Sequence, residues 1–184
     1  MLKKIPFGES DLVLRFLTEA GTVVSGFASG ARRSKRRFPH QFDITGLYDL
    51  DLDSKTSDQK MSRILRCELI HYHSALSLDM AALCRWAIVL EWISLDEEHS
   101  FDFEEICQLR ENLLSKNSLY YLFFVRQMKL HGLYPELEKC VVCGKAVESR
   151  RIFSFSEGGV AHASCSNGVS LLDEAYDFFL KAIQ

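Results

Sequence analysis

Residues 42–52 read Phe-Asp-Ile-Thr-Gly-Leu-Tyr-Asp-Leu-Asp-Leu, and they carry the clearest structural pattern in the chain. Every second position, starting at Phe42 and ending at Leu52, is apolar or glycine, whereas the positions between them hold three aspartates, a threonine and one leucine. Side chains on a β-strand alternate between two faces with a period of two residues. The stretch therefore predicts a strand with one buried face and one solvated face.

Further strands are predicted on the N-terminal side of this stretch. Residues 11–18 alternate imperfectly between two faces, and residues 22–29 carry β-branched and aromatic residues between two glycines. Only residues 1–7 are available for a first strand, so that strand should be short. Several short strands with glycine turns in about 60 residues are typical of a small barrel, most commonly the OB-fold. We therefore predict an OB-fold β-barrel over residues 1–57.

The pattern changes after a polar break at residues 53–58. From Gln59 onward the apolar residues follow helical spacing, which predicts a helix that Ser57 or Asp58 would cap. The apolar positions of this expected helix are Ile64, Leu65, Leu69, Tyr72 and Leu76.

Three more helices are predicted before Pro135, over about Met80–Leu95, Phe103–Ser115 and Ser118–His131, with Gly132 as the residue that follows the last. The expected organisation is an α+β protein of several modules. Its parts are the barrel at 1–57, a helical middle domain at 58–137, a zinc-binding unit at 138–168 and a C-terminal helix at 169–184.

The zinc-binding unit is predicted from two pairs of ligand residues. Cys140 and Cys143 form a C-x2-C pair, and after eighteen intervening residues His162 and Cys165 form an H-x2-C pair. Zinc prefers four thiolate or imidazole ligands arranged as a tetrahedron, and a strand-like stretch with a Gly-Gly turn at 158–159 would return the second pair to the first. With four protein ligands no position stays open for water, which favours one structural zinc ion over a catalytic one.

Other interpretations of the cysteines stay open. A C-x2-C pair is also a redox motif when a βαβ pattern accompanies it, but no such pattern is visible. The three clustered cysteines could also be ordinary core thiols. We expect no disulfides, because the N-terminus has no apolar signal segment and the compartment should be reducing. Cys67, Cys84 and Cys107 fall in segments of helical pattern and are predicted to be small buried core residues.

A basic loop follows the predicted strand at 22–29. Residues 30–38 read Gly-Ala-Arg-Arg-Ser-Lys-Arg-Arg-Phe, with five cations in six positions: Arg32, Arg33, Lys35, Arg36 and Arg37. Such a block repels itself unless an anion screens it, and arginine forks bind phosphate in a bidentate manner. Phe38 could stack on a base. The loop predicts contacts with a nucleic-acid backbone, although a solvated loop without a ligand is the alternative.

The charge distribution agrees with a basic front end. The net charge is −3, yet residues 1–60 hold ten Lys and Arg against eight Asp and Glu, whereas residues 61–139 hold eight against twelve. No apolar run approaches the ~20 residues of a membrane span. We find no phosphate-binding Gly-Lys-Ser/Thr loop, carboxylate cluster with metal spacing or nucleophile motif, which argues against an enzyme with a structural zinc.

Two stretches of the chain resemble one known family. The segment Phe7-Gly8-Glu9-Ser10-Asp11, together with Gly30-Ala31-Arg32-Arg33-Ser34, is similar to the OB domain of RecO, the bacterial recombination mediator. The segment from Leu130 through Pro135 and Cys140 to Gly159 looks like the zinc region of the same family. The resemblance thus extends over nearly the whole chain.

The resemblance implies a function and its residues. RecO-like proteins are not enzymes. They bind single- and double-stranded DNA, anneal complementary strands, partner with RecR and with the acidic tail of single-stranded-DNA-binding protein, and help to load RecA. The implied location is the cytoplasm, at the nucleoid. The family's DNA-binding surface corresponds to Arg32, Arg33, Lys35, Arg36 and Arg37, with Lys3 and Lys4 as weaker candidates. Its zinc ligands correspond to Cys140, Cys143 and Cys165.

The chain also departs from the family pattern. His162 stands where a third cysteine is usual, the first strand is several residues short, and the closing helical stretch is missing. The competing hypothesis from the residues alone is a zinc-ribbon interaction protein whose basic loop binds an acidic protein partner.

Overall fold

The computed structural model describes residues 1–34, 36–38, 42–53, 61–96, 99–115, 117–148 and 150–182. They form two units, Met1–Asn117 and Ser118–Gln184, and each has a hydrophobic core of its own.

The first unit is built on one five-stranded sheet. Its strands are β1 Lys3–Phe7, β2 Asp11–Leu17, β3 Val23–Ala28, β4 Gly46–Leu52 and β5 Ser62–Tyr72. They lie in the order β1-β2-β3-β5-β4, in which β3 and β5 are parallel and all other neighbours are antiparallel. The strands predicted from residues 11–18 and 22–29 are confirmed almost to the residue, whereas the strand predicted over residues 42–52 begins only at Gly46.

Alternation along β2 defines the core of this sheet. Leu12, Leu14 and Phe16 are buried, whereas the residues between them are half-buried and lie on the opposite face. Glycine at position 26 of β3 is required for close packing, because a Cβ there would lie 2.5 Å from Ile64 Cγ1. Burial of a large apolar side chain such as Leu14 or Phe16 stabilises the fold by about 1.5–3 kcal/mol.

The predicted closed barrel is wrong. Strands β1 and β4 are the two edges of the sheet, and in the described part of the chain no ladder of hydrogen bonds joins them. All five residues of β1 are exposed. One side-chain contact reaches across instead, since Lys4 Nζ donates to the Phe42 carbonyl oxygen at 2.9 Å.

The helix predicted from Gln59 onward is also wrong. Residues 62–72 form strand β5, so the first sheet continues past the predicted boundary at 57. The register between β4 and β5 shifts twice, between Leu47 and Tyr48 and between Asp51 and Leu52. Each shift leaves one extra residue on β5 and breaks its alternation of two. The expected caps, Ser57 and Asp58, lie outside the described residues.

Three helices complete the first unit: α1 Ser74–Leu78, α2 Met80–Leu95 and α3 Phe103–Asn112. The predicted bounds of α2 are confirmed, and α3 ends three residues earlier than predicted. The Asp79 carboxylate caps α2 by accepting a hydrogen bond from the Ala82 amide at 2.8 Å. Trp86 Nε1 of the same helix donates to the Ile44 carbonyl at 2.9 Å, which ties α2 to the segment before β4.

The second unit begins with helix α4, Asn117–Leu130, and then becomes a small three-stranded sheet. Its strands are β6 Arg151–Ser154, β7 Gly159–His162 and β8 Val169–Ser170, in the antiparallel order β7-β6-β8. The final helix α5, Asp173–Lys181, begins later than predicted because Val169 and Ser170 pair with β6. Gly132 has a φ of 67°, the left-handed conformation expected of the residue after a helix. Among the described helices, none has both the length and the apolarity needed to cross a membrane.

Candidate functional site

The basic loop leaves β3 at the end of the sheet. Arg32, Arg33, Arg36 and Arg37 are all exposed, so the structure leaves four of the five predicted cations of this loop open to solvent. The fifth, Lys35, lies outside the described residues. Guanidinium groups keep their charge at every physiological pH and present five donors each, which suits an extended anion.

The start of the loop is held by Asp11. Its Oδ1 accepts hydrogen bonds from the Gly30 amide at 2.7 Å and from Ser10 Oγ at 2.9 Å. The hydrogen bond from Gly30, followed by that from Ser10, lowers the pKa of the Asp11 carboxyl. Gly30 itself has a φ of 68°, which favours glycine at this turn. The sequence patterns did not single out Asp11 as a residue that positions the loop.

Neighbouring groups orient several of the arginines. Arg33 Nη2 donates to Glu9 Oε2 at 3.3 Å, and Arg32 Nη1 donates to the Glu9 carbonyl at 3.2 Å. Arg37 Nη2 donates to the Ser29 carbonyl at 2.7 Å. These bonds are exposed and use only some of the donors of each guanidinium, so the charge of the loop remains available to an anion.

Phe38 does not lie where base stacking needs it. The side chain is 4% exposed and belongs to the core of the sheet, with its ring centroid 5.9 Å from that of Phe42. The loop turns back onto the sheet here, since the Cys67 amide donates to the Arg37 carbonyl at 3.4 Å. A ring that is buried among apolar side chains offers no face to a base, so the prediction for Phe38 is corrected.

Lys3 and Lys4 lie on β1 and are engaged within the first unit. Lys4 Nζ makes the hydrogen bond to Phe42 described above, and Lys3 Nζ lies 4.0 Å from Glu91 Oε2. An anion at this edge would have to compete with these contacts.

The four predicted metal ligands meet in the second unit. The ligand atoms of Cys140, Cys143, His162 and Cys165 all lie within 4.8 Å of one another. His162 Nδ1 is 3.5 Å from Cys143 Sγ and 3.8 Å from Cys165 Sγ. Tetrahedral zinc, with bonds of about 2.3 Å to sulfur and 2.0–2.1 Å to nitrogen, separates nitrogen from sulfur by about 3.6 Å. The set of ligands and its spacing therefore fit zinc.

The orientation of His162 supports this interpretation. Its Nε2 lies 3.0 Å from the Ala146 carbonyl oxygen, which can only accept. Nε2 must therefore carry the proton, and Nδ1, which faces the thiols, is left with a free lone pair. This contact fixes the tautomer that a metal requires, and nothing in the sequence pattern reveals it.

Backbone turns form the two halves of the site. The Gly144 amide donates to the Cys140 carbonyl at 2.8 Å, and the Cys140 amide donates to the Lys145 carbonyl at 2.8 Å. On the other side the Cys165 amide donates to the His162 carbonyl at 2.8 Å. Gly144 has a φ of 73°, so this turn favours glycine.

The sulfur atoms differ in acidity. Burial disfavours the thiolate of Cys140, but the amides of Cys143, His162 and Val142 donate to the sulfur and lower its pKa to about 6. Burial, together with the nearby thiols of Cys143 and Cys140, raises the pKa of Cys165.

Helix α5 packs on residues 138–168, the part of the second unit that carries the four ligands and that we call the metal unit. Tyr176 Oη donates to the Leu137 carbonyl at 3.2 Å, and Tyr134 Oη donates to the Phe179 carbonyl at 3.1 Å. Arg151 of β6 lies 4.0 Å above the ring of Tyr176 and bonds to Asp173 at 2.8 Å. These contacts make the ligand-bearing loops and the last helix one structural element.

The remaining cysteines follow the sequence prediction only in part. Cys67 is buried, and burial raises the pKa of its thiol to about 12, so it is an inert core residue. Cys84 is exposed and Cys107 is half-buried, which corrects the expectation that both lie in the core. Their helices turn these positions toward the surface.

The chain is similar to known proteins in both its N-terminal and its C-terminal part. The model of the recombination protein O N-terminal domain matches residues 1–73, and the model of its C-terminal domain matches residues 105–179. The chain belongs to the RecO family. The resemblance predicted from the sequence is thereby confirmed.

Individual RecO relatives match over most of the chain. The DNA repair protein RecO of Syntrophus aciditrophicus (strain SB) is 27% identical over 176 residues, which cover 90% of this chain and 67% of the relative. The RecO of Thermoanaerobacter sp. (strain X514) is 28% identical over 194 residues, which cover 100% of this chain and 76% of the relative. The RecO of Syntrophobacter fumaroxidans (strain DSM 10017 / MPOB) is 30% identical over 152 residues, which cover 77% of this chain and 58% of the relative.

Proposed function

We propose that this RecO family member is a DNA-binding protein of recombinational DNA repair, and that it is not an enzyme. It binds single- and double-stranded DNA and anneals complementary strands. Together with RecR and the C-terminal tail of single-stranded-DNA-binding protein, it mediates the loading of RecA. It acts in the cytoplasm, at the nucleoid. The curated relatives carry the name DNA repair protein RecO, which supports this assignment.

The observation that carries the proposal is the cluster of exposed arginines on one anchored loop. Arg32, Arg33, Arg36 and Arg37 lie at one end of a sheet, and Asp11 holds the start of the loop. Guanidinium groups that neutralise phosphates release condensed counterions, which favours binding at low salt and depends little on base sequence. Lys35 of the same loop adds a fifth cation to the proposed interface.

The same loop accounts for annealing. Two single strands repel each other because both are polyanions, and a protein that screens their phosphates lowers this barrier. No covalent chemistry is needed, which agrees with the assignment of a binding protein rather than an enzyme.

The proposed cofactor is one structural zinc ion. Its ligands are Cys140, Cys143, His162 and Cys165, within a unit at residues 138–168. Residues of the C-terminal segment pack against the core of that unit, among them Leu171, Tyr176 and Phe179. The ion links the two ligand-bearing turns and stabilises the fold. Four protein ligands leave it no open position for catalysis.

Annealing of complementary oligonucleotides, with and without single-stranded-DNA-binding protein, tests the proposal. Replacing Arg32, Arg33, Arg36 and Arg37 by Ala should reduce annealing and binding to all sequences about equally. The matched control replaces four exposed lysines of the second unit by Ala, since this changes the net charge equally: Lys129, Lys139, Lys145 and Lys181.

The control should anneal like the wild type. If the arginine variant folds and anneals as well as the wild type, this loop is not the DNA interface. If the wild type binds an acidic protein but no DNA at any salt concentration, the zinc-ribbon interaction protein replaces our proposal.

A further inference from the structure

The outer face of the first sheet carries an apolar row. On β1, β2 and β3 the odd-numbered residues point away from the core. The strand registers place Ile5 beside Val13, and Val13 beside Phe27. Neighbouring strands lie about 4.8 Å apart, so these three side chains form a continuous strip across the sheet.

Phe7, on the same face of β1 as Ile5, adjoins this strip, and together with Phe27 it supplies the largest apolar groups of the face. Phe7 is 58% exposed, and its ring meets that of Phe27 edge to face, with the centroids 5.6 Å apart. Phe27 is half-buried, so the pair is partly open to solvent. Large apolar groups that cluster at a surface commonly mark a binding site.

The aromatic pair lies next to the residues from which the basic loop begins. Phe7 leads directly into the turn 8–10, which bonds to Arg32 through the Ser10 and Glu9 carbonyls. Phe27 stands three residues before Gly30, where the loop begins. On the other side of Phe27 the register places Arg63 of β5, whose side chain is exposed.

We propose that Phe7 and Phe27 form a base-stacking platform for single-stranded nucleic acid, beside the loop arginines that hold its phosphates. This inference rests on the proposed function and adds a basis for strand preference. The bases of a single strand are free to stack on aromatic rings, whereas those of a duplex already stack on each other. The platform therefore strengthens binding of single strands only, and the loop strengthens both.

Charge complementarity favours this occupant over a second copy of the chain. The strip is bordered by Arg63 on one side and by the arginine loop at its end, and a polyanion with flat apolar bases matches both features. A second copy would bring the same cations against each other.

The test compares fluorescein-labelled oligothymidine with a duplex of the same length, using the full chain. The double variant Phe7→Ala, Phe27→Ala should bind the single strand about 5- to 100-fold more weakly, and the duplex like the wild type. The dependence of affinity on salt should not change, because no phosphate contact is removed. Phe7→Leu, Phe27→Leu should show the same loss while it retains apolar burial, which covers the case in which the alanine variant fails to fold.

A matched control and a spectroscopic probe complete the experiment. Phe155 is 77% exposed and also meets a second ring edge to face, so Phe155→Ala removes an equivalent side chain from the second unit and should bind like the wild type. Phe7→Trp should retain binding, and its added fluorescence should be quenched by the single strand but not by the duplex.

The inference is overturned if the folded leucine variant binds oligothymidine like the wild type. It is also overturned if that variant loses affinity for the single strand and for the duplex to the same extent. Failure of the proposed function looks different. In that case the wild type binds neither DNA, or the four-arginine variant binds both normally.

Discussion

The first sheet and the metal unit differ in the size of their apolar cores. Among the described residues, the core of the sheet contains nine buried residues, among them Leu14, Phe16 and Ile64. The corresponding core of the metal unit contains five, and one of them is the proposed ligand Cys140. A small core seldom sustains a fold without a disulfide or a metal ion. We therefore expect the sheet to be stable without an ion, and the second unit to depend on the proposed zinc ion.

Loss of a metal ligand should have the largest effect, and only in the second unit. Cys140→Ser should release the metal and unfold the unit, because structural zinc supplies about 10–16 kcal/mol of apparent binding free energy to its fold. Zinc content and amide hydrogen exchange of residues 138–168 measure this. Cys84→Ser, which removes an exposed thiol of α2, is the control. Equal protection of residues 138–168 in both variants would contradict the comparison.

Creating a cavity in the core of the sheet should lower the stability of the first unit alone. Leu14 is fully buried, so Leu14→Ala should destabilise that unit by about 2–5 kcal/mol. Both tryptophans of the chain, Trp86 and Trp92, lie in this unit, and their fluorescence during urea unfolding reports its stability. Zinc content should stay at the wild-type value. Val13→Ala, on the outer face of the same strand, should destabilise the unit markedly less than Leu14→Ala. An equal loss of unfolding free energy would contradict the assignment of Leu14 to the core.

The two units should respond oppositely to pH. Burial raises the pKa of Cys67 from 9.0 and that of Tyr48 from 10.0, both to about 12. Since these pKa values are raised on folding, their stabilisation is complete below pH 9 and is lost as pH rises toward 12. The metal unit should fail in acid instead, because protons compete with zinc for the ligands.

Tryptophan fluorescence should therefore detect alkaline unfolding, which Cys67→Ala should shift to higher pH. A chromogenic chelator should detect zinc release in acid. Loss of both units at the same pH would show that they do not respond separately.

The sequence predicted the metal unit better than the sheet, and the reason is physical. Ligand spacing is a local property, so Cys140, Cys143, His162 and Cys165 could be found without knowledge of the fold. Strand β5 could not, because Leu65 and Ile70 are extra residues opposite β4, and they change the spacing of apolar residues into one that resembles a helix. The burial of Phe38 depends on how the loop returns to the sheet, which no pattern within residues 30–38 encodes.

The smallest effect on stability is expected from the basic loop. Replacing Arg32, Arg33, Arg36 and Arg37 by Ala removes exposed side chains whose contacts are weak. The free energy of unfolding of the first unit should therefore change by about 0.5 kcal/mol or less. The urea midpoint followed by tryptophan fluorescence measures this. A larger loss would mean that the loop supports the sheet, for example through the bond from Arg37 to Ser29.

The central claim, that this loop is the DNA interface, is tested most directly by the affinity for single-stranded DNA across a salt series. Each phosphate contact contributes about −0.7 to the slope of log K against log salt. The four-arginine variant should bind more weakly at low salt and show a slope smaller in magnitude by up to about 3. A folded, zinc-containing variant with the affinity and slope of the wild type would contradict the claim.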